Sequence, residues 1–163
     1  MFEQNRDPNY FKEHQSDTNC GSFAFNICEW YCPDENFDED DYALALTLIE
    51  GSGMNEEDVI ELLLNRNMEQ IHKDFKVKDV DGMDYSLKKD EELIAFRMCV
   101  NRSFWEDDLV VDYHFRVKRN GKWMEKCGCG SVREIEGYDE EPWVISESNV
   151  YSGPIAYFVR KCS

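Results

Sequence analysis

Basic residues are scarce in this chain: 18 Lys and Arg stand against 35 Asp and Glu over 163 residues, a formal net charge of −17. A surface of that sign repels nucleic acid and anionic membrane surfaces, so neither is expected as a partner, and cationic partners or substrates are favoured. Long hydrophobic runs are missing too. No apolar stretch approaches the roughly 18 residues that span a bilayer, and residues 1–15 lack the basic-then-apolar order of a signal peptide. The expectation is a soluble protein of the cytoplasm, or of the host cytoplasm if phage-encoded. Internal repeats and low-complexity linkers are absent, and the length fits one domain over residues 16–163 behind an N-terminal arm of residues 1–15. Histidine is limited to three residues, which narrows any search for a general base.

What the chain does have is core material: 42% hydrophobic and 13% aromatic residues, despite a mean hydropathy of −0.66. Seven cysteines are an odd number and come without a secretion signal, so most are expected as reduced thiols. Ser16, Asp17 and Thr18 are competent N-caps for a first helix carrying Phe23, Ile27 and Trp30 or Tyr31, stopped by Pro33. Six carboxylates in residues 34–41 read as a solvated lead-in to a helix with Tyr42, Ala45, Leu46 and Ile49, ended by Gly51-Ser52-Gly53. Asn55 then caps a third helix reaching about Phe75, with Val59, Leu62, Leu63 and Ile71 as its stripe. From Glu92 the period changes to two, and residues 109–117, 142–146 and 155–159 read as further strands. Helices first and strands after predict an α+β fold, with N-terminal helices packed on an antiparallel sheet.

Chemistry enters with Asp112-Tyr113-His114-Phe115-Arg116 and Asn120-Gly121-Lys122-Trp123. Leu109, Val111, Tyr113, Phe115 and Val117 share one strand face, so His114 points to the other. Asn120-Gly121 fits a two-residue type I′ hairpin turn. Cys20 lies in the first turn of the first helix, where unpaired N–H groups favour a thiolate. His114 is the histidine suited to take and return its proton. His14, in the lead-in, and His72, at the end of the acidic third helix, are weaker candidates.

A helix-borne Cys followed by a strand-borne His resembles the papain-like cysteine hydrolases. The more specific resemblance is to a poorly characterised bacterial and phage group of that superfamily. Its pattern runs Asn-Cys-Tyr-Ala-Tyr-Ala, Asp-Tyr-His-Phe/Trp-Tyr-Arg, then Gly-x-Trp-Ser-His-Lys-x-Gly. Here the segments read Asn19-Cys20-Gly21-Ser22-Phe23-Ala24, Asp112-Tyr113-His114-Phe115-Arg116, then Gly121-Lys122-Trp123-Met124-Glu125-Lys126-Cys127-Gly128. The resemblance extends over residues 17–160 and implies a papain-like fold with Cys20 as nucleophile and His114 as base. It departs at Glu125, where the pattern has a second histidine, and at Gly21-Ser22, where it has Tyr-Ala.

The group orienting His114 is open among Glu125, Glu134 and Glu136, with Glu134 slightly preferred. Asp112 is disfavoured, because same-face residues two apart on a strand lie about 7 Å from each other. Gln15 or Asn19 is expected to join the Cys20 N–H in an oxyanion site, Gln15 by similarity to the upstream glutamine of papain-like enzymes. The expected activity is hydrolysis or acyl transfer at an amide or peptide bond of a peptide or protein substrate, without cofactor or metal.

Two other readings use the same residues. Cys28, Cys32, Cys127 and Cys129 offer an irregularly spaced zinc quartet, and Cys127 could instead join a disulfide in an oxidising compartment. A non-catalytic acidic protein, such as a phage-type inhibitor or decoy on a papain-like scaffold, would present carboxylates of residues 34–41, 56–61, 106–108 and 134–141 to a basic protein partner.

Overall fold

In a computed structural model, residues 2–102 and 108–162 are described; of the acidic residues 106–108 only Asp108 lies among them. Two short helices, α1 (Tyr10–Glu13) and α2 (Cys20–Phe25), precede a 3₁₀ turn over Pro33–Asn36. Helix α3 (Asp41–Leu46) runs into a π-helical turn, and α4 (Glu56–Asp74) is the long helix. The strands follow: β1 (Val77–Val80), β2 (Glu91–Arg102), β3 (Leu109–Arg119), β4 (Lys122–Lys126), β5 (Val132–Glu134), β6 (Trp143–Val144), β7 (Val150–Tyr151) and β8 (Ile155–Lys161). Six of them form an antiparallel sheet in the order β1-β8-β2-β3-β4-β5, and β6 pairs with β7 in a separate hairpin.

Local chemistry accounts for the long elements. Asn55 accepts the Asp58 N–H at 2.8 Å, Glu56, Glu57 and Asp58 follow in the first turn, and Val59, Leu63 and Ile71 are fully buried. Strand β2 sits between β8 and β3 and is buried on both faces. Its Ile94, Phe96, Met98 and Val100 join the helices in one core, while Leu93, Ala95 and Cys99 join Trp143 and Tyr151 in a second. Asn120 and Gly121 adopt φ of 54° and 77°, the left-handed pair that the β3–β4 hairpin requires.

Two expectations need correction. The first helix does not run from Ser16 to Tyr31: α2 has six residues and ends at Asn26, whose φ of 53° is a left-handed cap that asparagine accepts readily. Cys28 and Cys32 therefore lie beyond it. The N-terminal segment is not a free arm, because its aromatic residues supply core surface. Phe2 stacks on Phe75 at 5.1 Å, Phe11 is buried against Phe23 at 5.2 Å, and Gln4 bridges Ile27.

Candidate active site

Cys20 is the first residue of α2, and the turn that presents it is fixed by Asn19. The Asn19 side chain accepts the Ser22 N–H at 2.9 Å and the Tyr31 N–H at 3.2 Å, while the Ser22 hydroxyl accepts the Asn19 N–H at 3.1 Å. This is a reciprocal capping box. The Asn19 amide donates to the Tyr31 carbonyl at 2.7 Å and the Tyr113 hydroxyl at 3.1 Å, tying α2 to β3. From below, buried Lys126 donates to the Gln15 and Thr18 carbonyls, both at 2.6 Å. Gly21 is required for close approach: a Cβ there would stand 2.9 Å from the Tyr31 carbonyl oxygen.

The ladder between β3 and β4 covers only Val117–Arg119, so the backbone at Phe115 lies beyond it. Its N–H approaches the Cys20 thiol. Burial pushes that thiol up to about 12, opposed by the Phe115 and Gly21 N–H groups and reinforced by the Asp112 carboxylate. Cys20 alone is therefore a protonated thiol at neutral pH and needs a base.

That base has a defined tautomer. His114 lies on the face of β3 opposite Phe115 and is 3% exposed, covered by Trp143 and Tyr151 at ring distances of 6.0 and 5.6 Å. Its Nε2 is 2.8 Å from Glu125 Oε1. Burial opposes ionisation of Glu125, but the hydrogen bond and charge of His114 and the guanidinium of Arg116 outweigh it, holding the carboxyl at about 2. An ionised carboxylate only accepts, so Nε2 is the donor to Glu125 and Nδ1 is the ring nitrogen outside that bond. Nδ1 makes no hydrogen bond among the described residues, and His114 lines the adjoining cavity. Glu125 is fixed in turn by Arg116 at 2.9 Å and by Arg133 at 2.6 Å.

Cys20 and His114 both line one cavity of about 370 Å³, with Asn19, Trp30, Asp112, Tyr113, Cys127, Gly128, Ile145, Asn149 and Tyr151 completing the wall. No hydrogen bond joins Cys20 to His114 among the described residues. The structure departs from the expected orienter: Glu125 holds His114, whereas Glu134 on β5 is 45% exposed and pairs with Lys122 at 3.8 Å. Register explains this, since Glu134 opposes Met124, on the strand face away from His114. Glu136 lies beyond the end of β5 and makes no contact with His114. Gln15 is not part of the cavity wall and turns its amide back to the Lys12 carbonyl at 3.4 Å. Asn19 reaches the wall, but its amide is committed to Tyr31 and Tyr113 and acts as a clip. His14 stacks on Tyr10 at 4.3 Å and His72 pairs with Asp79 at 2.8 Å, neither at the cavity.

Cys127 is the residue whose placement the spacing argument missed. Its thiol, His114 and Glu125 offer ligand atoms within 4.8 Å of one another, the one such group found among the described residues. Cys28, Cys32 and Cys129 are not part of it, so the alternative zinc quartet is not assembled among the described residues. Two guanidiniums already occupy Glu125 and oppose a further cation there. The acid-rich residues 34–41 are also partly committed to the fold: Asp40 caps α3 through the Ala43 N–H, and Asp41 is buried against Asn67. No helix among the described residues is long and apolar enough to cross a membrane. Comparison with models of protein families, with curated proteins and with solved structures finds no match for this chain.

Proposed function

We propose that this chain is a papain-like thiol hydrolase or acyltransferase acting on a carbonyl substrate such as an amide or peptide. The observation that carries this reading is the shared cavity of Cys20 and His114, with Glu125 bound to the rear nitrogen of the imidazole. The Cys20 thiol gives its proton to His114 Nδ1, and the sulfur attacks the substrate carbonyl to form a tetrahedral adduct. The imidazolium returns the proton to the leaving group as the carbon–heteroatom bond breaks, leaving a thioester on Cys20. Water or an amine, deprotonated by His114, then releases the acyl group and restores the thiol. Glu125 keeps Nε2 protonated throughout and stabilises the imidazolium.

A burst assay with p-nitrophenyl acetate tests this. One equivalent of p-nitrophenolate per chain is expected, lost in Cys20→Ala and slowed about a hundredfold or more in His114→Ala. A burst that survives Cys20→Ala and disappears in Cys127→Ala would transfer the nucleophile to Cys127.

A further inference from the structure

The geometry points to Asp112 as the specificity-determining residue of this cavity, selecting substrates that carry an ammonium or guanidinium group within a few bonds of the reacting carbonyl. This inference rests on the thiol-hydrolase reading for the meaning of "substrate", but its charge preference can be measured separately.

The buried carboxylates among the described residues have cations beside them: Glu92 has Arg119 and Arg160, Glu125 has Arg116 and Arg133, and Asp41 has Arg66. Half-buried Asp112 has none among the described residues, and unlike Asp74, which is also held by neutral donors alone, it lines the cavity of Cys20. Its Oδ2 accepts the Tyr151 hydroxyl at 2.7 Å and the Asn149 amide at 3.1 Å, and its Oδ1 accepts the Tyr113 N–H at 2.8 Å. All three donors are neutral. They fix the carboxylate and leave its charge uncompensated, although its partial burial favours a counter-ion.

Among the described residues, no Lys or Arg contributes to the cavity wall, and Asp112 is its one carboxylate. Trp30, 45% exposed, with Tyr113 and Tyr151 adds aromatic surface, which attracts cations and offers nothing to anions.

Asp112 and His114 share a strand face two residues apart, about 7 Å. An uncompensated carboxylate beside Cys20 opposes thiolate formation. A substrate cation seated on Asp112 cancels that opposition, so binding of the correct substrate also readies the thiol. A carboxylate in this position hinders the chemistry unless the substrate supplies the opposite charge.

Methanethiosulfonate reagents test this on the full-length protein. The cationic aminoethyl, neutral methyl and anionic sulfonatoethyl reagents each transfer their own alkylthio group to a thiolate as a mixed disulfide and release methanesulfinate, so their rate ratio at one cysteine cancels its thiolate fraction. Rates are read per site by mass spectrometry. Exposed Cys129 and Cys162 report the background attraction of a chain with net charge −17. The cationic-to-anionic ratio at Cys20 is expected to exceed that background about tenfold, to fall to it in Asp112→Asn, and to recover in Asp112→Glu. If Asp112 only props up Tyr151 and Asn149, Asp112→Asn would change all three rates together and leave the ratio standing, which overturns the proposal. A Cys20 ratio equal to that of Cys129 and Cys162, or no reaction of Cys20 with any reagent, overturns it as well. Failure of the hydrolase reading looks different: His114→Ala would leave Cys20 labelling unchanged while the charge preference persisted.

Discussion

The two faces of the central sheet are built on different principles. On the helix side Phe25 packs with Phe75, Phe115 and Phe158 at ring distances of 3.9 to 6.0 Å, and the ion cluster of Glu92, Arg119 and Arg160 is set apart from these rings. On the hairpin side Trp143 and Tyr151 cover a layer that contains His114, Glu125 and Arg116, with Arg116 over the Trp143 ring at 4.4 Å. Apolar packing stabilises in proportion to the area removed from water and tolerates local error. A buried ionic layer adds little net stability but penalises the loss of any one member. The helix face thus holds the fold together, while the hairpin face holds a histidine in one orientation. The candidate site lies where α2 reaches the end of the β3–β4 ladder and the two regimes meet.

The largest effect should come from the helix face. Phe25 is fully buried, and Phe25→Ala should lower the free energy of unfolding by roughly 3–5 kcal/mol in urea titration. On the hairpin face Glu125→Ala leaves Arg116 and His114 facing each other without a carboxylate, and should cost about 3 kcal/mol. It should also slow Cys20 alkylation at pH 7, because the imidazole loses the partner that fixes its tautomer. Phe25→Ala should leave alkylation of the remaining folded protein unchanged. Glu134→Ala, which removes an exposed pair with Lys122, should change stability by less than about 0.5 kcal/mol. If Glu134→Ala matched Glu125→Ala in both measurements, the division between the faces would be wrong at β4 and β5.

The same division explains what could be read in advance. Helix α4, the two long central strands and the Asn120-Gly121 turn were legible because caps, period and turn chemistry are local. So was the direction of His114, which follows from alternation. The end of α2 at Asn26 was not, since the apolar residues continue at helical spacing to Ile27 and Tyr31 while the backbone turns into the left-handed region. The choice between Glu125 and Glu134 was equally hidden. Both lie on strands near His114, and only the register Met124↔Glu134 and Glu125↔Arg133 decides which carboxylate shares its face. The burial of His114 depended on the short β6–β7 hairpin, whose two-residue strands carry almost no periodic signal. The α+β class was legible from element order, but the bond between Glu125 and His114 required the register.

A pH-dependent effect sharpens the comparison at its margin, at a buried carboxylate on the helix side without a close cation. Asp41, at the start of α3, is 3% exposed, with Asn67 at 2.8 Å and Arg66 only at 3.9 Å. Burial raises its carboxyl to about 6, with Asn67 and Arg66 partly opposing the shift. Because the folded value lies above the ordinary one of about 3.9, the native state binds the proton more tightly than the unfolded chain. The resulting stability is fully present below about pH 4 and is lost as pH rises through 6. Asp41→Asn mimics the protonated form at every pH and keeps an acceptor for the Asn67 amide. Urea titrations of the two proteins should therefore coincide near pH 4, with the variant the more stable by up to about 2 kcal/mol at pH 7.5. The gap should open between pH 4 and 6. Equal stabilities at pH 7.5 would mean that Arg66 compensates Asp41 as fully as Arg116 and Arg133 compensate Glu125. Asp112, a wall residue without a cation, would then stand apart from every buried carboxylate described, and the case for a substrate cation at that position would be stronger.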